Sequence, residues 1–148
     1  MKLVTGLSAT MMLMASTAVA QEISNDTIKI GAMVDMTGVY SANGGAGAVL
    51  GAEMAVEDFG GNVEGKQIEV ISANYQNRVD VASNLAREWI DQGGVDMIIE
   101  STDSAAALAI QSIGNEKSVM TIAAGSASTA LTNAECSPLG IHYVYDTY

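Results

Sequence analysis

The sequence predicts an α/β fold built on a parallel sheet covered on both faces, with right-handed crossovers. Three observations carry this. Segments with strand character alternate with segments of helical periodicity. The composition is globular, with 49% apolar and 16% charged residues, 15 Gly and one Pro. The length, 148 residues, allows one modest domain.

The elements follow in order. Residues 28–35, IKIGAMVD, are β-branched and apolar and read as a strand. Residues 36–45, MTGVYSANGG, are rich in turn formers. A helix is predicted over 46–59, where Val49, Leu50, Ala52, Ala55, Val56 and Phe59 recur at helical spacing. Gly60-Gly61-Asn62 stops it. Residues 67–73, QIEVISA, alternate polar and apolar as a second strand. Residues 80–92 place Val81, Ala82, Leu85, Ala86, Trp89 and Ile90 on one helical face, with Trp89 in the core, and Gly93-Gly94 ends that helix. Strands are predicted over 95–99, 118–123 and 142–145. A helix over 104–113 is capped by Thr102 or Asp103.

Residues 1–20, MKLVTGLSATMMLMASTAVA, combine a basic start, an apolar run and a small-x-small Ala18-Val19-Ala20 site before Gln21. This is the pattern of a secretory signal peptide, which leaves residues 21–148 as an exported, soluble domain. Without Lys2 that domain has five basic and 17 acidic residues. The acidity argues against a nucleic-acid partner, because phosphate binding wants a basic face. One Cys and one His argue against a zinc site. No stretch reaches the roughly 18 uninterrupted apolar residues of a spanning helix.

In a parallel sheet, ligands sit at the carboxyl ends of the strands near the switch point. Four loops lie there: 36–45, 74–78, 100–104 and 125–132. The Gly44-Gly45-Ala46-Gly47 run and Gly51 follow the first strand too late for a dinucleotide fingerprint. Their predicted role is to let the first helix lie close on the sheet. Glu100-Ser101-Thr102-Asp103-Ser104 joins a strand to a helix whose first amides are unpaired. Two readings stay open there: donors for a carboxylate without a buried cation, or plain capping. Gly125-Ser126-Ala127-Ser128-Thr129 offers a second hydroxyl-rich strand end. Tyr40 and Ser41 in the first loop, and Tyr75 after the second strand, either wall a small-molecule pocket or pack locally. Asp35 is assigned to holding the first loop. His142 has no nucleophile or acid partner legible in the sequence, and there is no G-x-S-x-G elbow. No enzymatic activity, cofactor or metal is expected.

The string IKIGAMVDMTGVYSANGGAGAVLGAEMAVEDFGG resembles the opening of the type I periplasmic solute-binding proteins of ABC transporters, in the branched-chain amino acid (Leu/Ile/Val-type) group. NYQN at 74–77, AREWID at 86–91 and SPLGIHYVYDTY at 137–148 agree with it. The resemblance implies a Rossmann-like lobe of a two-lobed clamshell, lobe one and incomplete, with the chain read as an N-terminal fragment. It implies a periplasmic protein that captures an amino acid or similar small carboxylate or amide and presents it to an inner-membrane ABC permease. It places Ser104 on the ligand carboxylate, Gly125, Ser126, Ala127 and Ser128 in the second binding segment, and Tyr40 and Ser41 on the ligand side of the first loop. A ligand-sensing receptor domain on the same fold is the alternative function.

Overall fold

A computed structural model describes residues 26–148. The signal-peptide reading of residues 1–20 lies outside the described residues. Six strands form one sheet in the order β2-β3-β1-β4-β5-β6. Strands β1 (Thr27–Val34), β3 (Lys66–Asn74), β4 (Met97–Glu100), β5 (Met120–Ala123) and β6 (Gly140–His142) run parallel. The short β2 (Asn62–Val63) pairs antiparallel with the start of β3. Register is long between β1 and β3, from Thr27↔Gln67 to Val34↔Asn74, and shorter between β1 and β4, from Ile30↔Met97 to Met33↔Glu100. The strand order reverses direction at β1, so the carboxyl ends of β1 and β4 form the switch point.

Helices α2 (Ala46–Phe59), α3 (Val79–Asp91) and α4 (Ser104–Lys117) are the crossovers, and α1 (Ser41–Gly44) is a single turn before α2. Period-two alternation divides the strands between two layers. Met33 and Ile98 point to the layer of α3 and α4 and join Tyr75, Ala82, Ala86, Ile110 and Ile113 in the main core. Trp89 is half-buried and packs against this core. A Cβ on Gly31 would lie 2.5 Å from the Trp89 ring, so this strand position needs a glycine for space rather than for φ. Ile30, Ile68, Met97 and Ile99 point to the other layer, where they face α2 across an apolar groove of about 260 Å³.

Several sequence expectations shift. The coverage of both faces is unequal, because α2 has no buried residue. Gly47 and Gly51 have open space around an added Cβ, so they do not draw α2 onto the sheet. Gly44 instead packs on Ser101 and Thr102, and Gly45 on the backbone of Ser41. Part of the first loop forms α1. Helix α4 runs on to Lys117 and closes on Ser118 in the left-handed region (φ 60), which shortens the following strand to 120–123. The last strand lies at 140–142 rather than 142–145. The stop at Gly60-Gly61 also turns the chain into β2, where Gly61 O accepts from Ile68 N at 2.9 Å.

Candidate functional site

Three strand ends and their loops are tied together by side chains at the carboxyl edge. At the end of β1, the buried Asp35 accepts from the amides of Thr37 (3.3 Å) and Gly38 (2.6 Å) on Oδ1 and of Tyr40 (3.1 Å) on Oδ2. This is the loop-holding role expected for it, and it sets where Tyr40 and α1 begin. Asn74 secures the same loop from β3: its Oδ1 accepts from Met36 N at 2.9 Å and its Nδ2 donates to Thr37 Oγ1 at 3.0 Å. The Ser101 hydroxyl donates to Gly44 O at 2.7 Å and joins α1 to the end of β4.

Glu100, the last residue of β4, is 1% exposed. Its Oε1 accepts from Tyr75 Oη (3.0 Å), Thr102 N (2.8 Å) and Asp103 N (2.7 Å), and its Oε2 accepts from Ser126 Oγ. One carboxylate therefore binds the ends of β3, β4 and β5. Burial pushes the Glu100 carboxyl above the usual glutamate range, partly opposed by the bonds from Ser126, Thr102, Asp103 and Tyr75. Burial also raises the Tyr75 hydroxyl, so it stays protonated and donates. Tyr75 is fully buried and is not a pocket wall.

Above this network lies an open cleft of about 300 Å³. Tyr40 and Asn43 come to it from the first loop, Ser101 and Thr102 from the end of β4, Ala124 and Gly125 from the end of β5, and Val144 and Tyr145 from beyond β6. Gly125 lies directly under the Ser101 carbonyl, where a Cβ has no room. The segment after β6 is held against this edge by Tyr143 N to Ala123 O and Thr147 N to Ala127 O, each 3.0 Å. No acidic or basic side chain is in the lining.

The structure brings only some of the sequence candidates to this cleft. Tyr40 and Gly125 line it. Ser41 opens α1 beside it. Ser104 is the first residue of α4, but capping falls to Asp103, whose Oδ1 accepts from Ala106 N at 2.6 Å. Ser126 faces inward, with its hydroxyl on Glu100 and its carbonyl 2.6 Å from His142 Nε2, which therefore carries the proton. Ser128 accepts from Ala130 N at 3.3 Å and caps the 3-10 turn Thr129–Leu131; Ala127 lies between the two. Sequence reasoning missed Asn43 and Tyr145 as lining residues, and Glu100 as the tie beneath them. The signal for Glu100 was an acid in phase with the inward Ile98 at the end of MIIE. Among the described residues no group of three or more His, Cys, Asp or Glu is placed to hold a metal, and no helix is long and apolar enough to cross a membrane.

The periplasmic binding protein family model matches residues 27–148. The chain is similar to a periplasmic binding protein from Burkholderia mallei, with 45% identity over 82% of this chain and a TM-score of 0.80. It is similar to a branched-chain amino acid ABC transporter periplasmic ligand-binding protein from Burkholderia xenovorans LB400, with 35% identity over 81% of the chain and a TM-score of 0.78. A third similar structure, at 26% identity over 82% of the chain and a TM-score of 0.72, is an ABC transporter solute-binding protein from Rhodopseudomonas palustris BisB5 in complex with 3,4-dihydroxybenzoic acid. The chain spans 32% of the first two and 33% of the third. The comparison with curated proteins gives no match. The family match covers every strand and helix that builds the cleft, and on that ground the chain belongs to the periplasmic binding proteins.

Proposed function

We propose that residues 21–148 form the first lobe of a solute-binding protein that captures a small carboxylate or its amide in the periplasm, an amino acid or a related compound, and delivers it to an ABC permease. The leader at residues 1–20 directs export in this reading. The observation that carries it is the cleft itself, where four strand-end segments converge at the switch point with hydroxyls, amides and two tyrosines and no charged side chain. Neutral donors of this kind hold a carboxylate by hydrogen bonds without the desolvation of a paired cation. The α4 start adds to them, because the first amides of a helix have no partner within it. Ser104 and Gly125 bind the carboxylate, Tyr40 and Ser41 flank the body of the ligand, and Ser126 and Ser128 hold the segment from behind through Glu100 and the Ala130 amide. The molecules named for the similar structures, branched-chain amino acids and a dihydroxybenzoic acid, share that carboxylate.

The test is an isotope-edited titration of the chain with isoleucine, benzoate and their carboxamides. Amide shifts confined to Tyr40, Asn43, Thr102 and Gly125 are expected with at least one acid. Shifts scattered over the surface, or none at millimolar acid, would remove the cleft as a ligand site.

A further inference from the structure

Glu100 adjoins the cleft through the chain. The next two residues, Ser101 and Thr102, line it, and the Thr102 amide ends on Glu100 Oε1 at 2.8 Å. All four donors to this carboxylate are uncharged. Its two oxygens are unequal: Oε1 has three partners, and Oε2 has Ser126 alone. A proton placed on Oε2 donates to Ser126 Oγ and leaves the three bonds on Oε1 intact, so Glu100 can change charge without dismantling the loop it holds.

We propose that Glu100 is a specificity-determining residue of the cleft, setting the charge of the group bound there: a carboxylate enters with uptake of one proton at Glu100, and an uncharged amide enters with none. The inference rests on the cleft being the ligand site. Its physical basis is that a second carboxylate brought close to one that is already buried raises the cost of keeping both ionised. Burial already pushes Glu100 toward its neutral form, and a nearby anion acts in the same direction.

The other titratable groups around Glu100 are accounted for. Tyr75, at the end of β3, donates to it. Asp103, at the α4 start, is turned to the Ala106 amide. Asp35, two residues beyond the β1 partner of Glu100, is turned to the amides of 37–40. His142 on β6 reaches Ser126 O rather than Glu100. A His142→Gln variant, which removes that ring from Ser126, serves as the control.

The experiment follows the Thr102 and Gly125 amide resonances of the chain while benzoate or benzamide is added at about pH 5.5 and about pH 8, a range in which benzoate stays ionised. Benzoate should bind tighter at the lower pH, by a factor approaching about 10 per pH unit where a whole proton is taken up. Benzamide should bind equally at both, and His142→Gln should keep the benzoate dependence. Glu100→Gln should bind benzoate equally at both pH values. The native chain alone decides the matter if that variant does not fold. Benzoate binding that ignores pH, a dependence shared by benzamide, or one that survives Glu100→Gln overturns the inference and leaves the cleft as a ligand site. Failure of both probes to move the cleft resonances overturns the site reading and this inference with it.

Discussion

The two faces of the sheet are built from alternate residues of the same strands, yet they differ in how they are closed. On one face, α3 and α4 pack on each other and on β1 and β4, and Met33, Ile98 and Ile110 are at most 1% exposed. On the other, α2 lies alone over Ile30, Ile68, Met97 and Ile99, and its own Leu50, Met54 and Phe59 are more than half exposed. A second helix is what separates the two. The α3–α4 pair also carries the ion pairs Arg87–Glu116 and Lys117–Asp91 along its outer seam. The sealed face is the one that contains Glu100 and Tyr75. The loops of the cleft therefore stand on the more fully buried face of the sheet.

Neighbouring strand residues test this contrast most sharply. Ile98 and Ile99 are adjacent in β4 and point to opposite faces. Ile98→Ala should cost about 2–5 kcal/mol, the range for a fully buried aliphatic truncation. Ile99→Ala should cost roughly 1 kcal/mol or less, because its neighbours leave a groove and little contact is lost. Urea unfolding of both variants reads the difference. Equal losses would show that the α2 face is as tightly closed as the other.

The same alternation explains what was legible in the sequence. Strand and helix order was legible because IKIGAMV and QIEVIS have strand character and 80–91 has a clear apolar stripe. The unequal closure was not. Helix α2 has apolar residues at helical spacing, and spacing alone does not say how much partner surface is available. In the site, Tyr40 and Gly125 were legible from loop position, and Asp35 from its place at a strand end. Asn43 was hidden because it lies within a turn-rich run, and α1 is what presents it. Tyr145 comes from beyond the last strand and depends on the pairing of 143 and 147 with 123 and 127. Glu100 was hidden by its charge, since acids are seldom fully buried.

Two glycines give a smaller version of the comparison. Gly31 on the sealed face has the Trp89 ring 2.5 Å from the place of a Cβ, whereas Gly51 on α2 has nothing within 4 Å. Gly31→Ala should cost about 1–3 kcal/mol, as overpacking does, unless the ring shifts. Gly51→Ala should instead stabilise the chain by about 0.5–1 kcal/mol, because alanine loses less backbone entropy in a helix. Thermal or urea unfolding separates the signs. A stabilising Gly31→Ala would mean that Trp89 moves freely.

The smallest effect is expected at Glu100, where hydrogen bonds from Ser126, Thr102, Asp103 and Tyr75 oppose the burial that raises its carboxyl. The sign is nonetheless fixed. Below the ordinary glutamate value of about 4.3 the group is protonated in both folded and unfolded chains, and its favourable contribution is fully present. As pH rises past that value the unfolded chain releases its proton first, and the contribution falls until pH exceeds the raised value of the folded state. Above that point it stays constant. The exposed pairs Arg78–Asp80 and Arg87–Glu116 lower their carboxylates and act in the opposite direction, so the total stability curve mixes both signs. Glu100→Gln removes one titration and leaves theirs in place. The stability of the native chain minus that of Glu100→Gln should therefore decrease as pH is raised from about 4 to about 8, measured by urea unfolding at each pH. A difference that increases with pH would mean that the donors from Tyr75, Thr102, Asp103 and Ser126 outweigh burial. Glu100 would then be held ionised on the sealed face, and a neighbouring carboxylate would gain nothing from its proton.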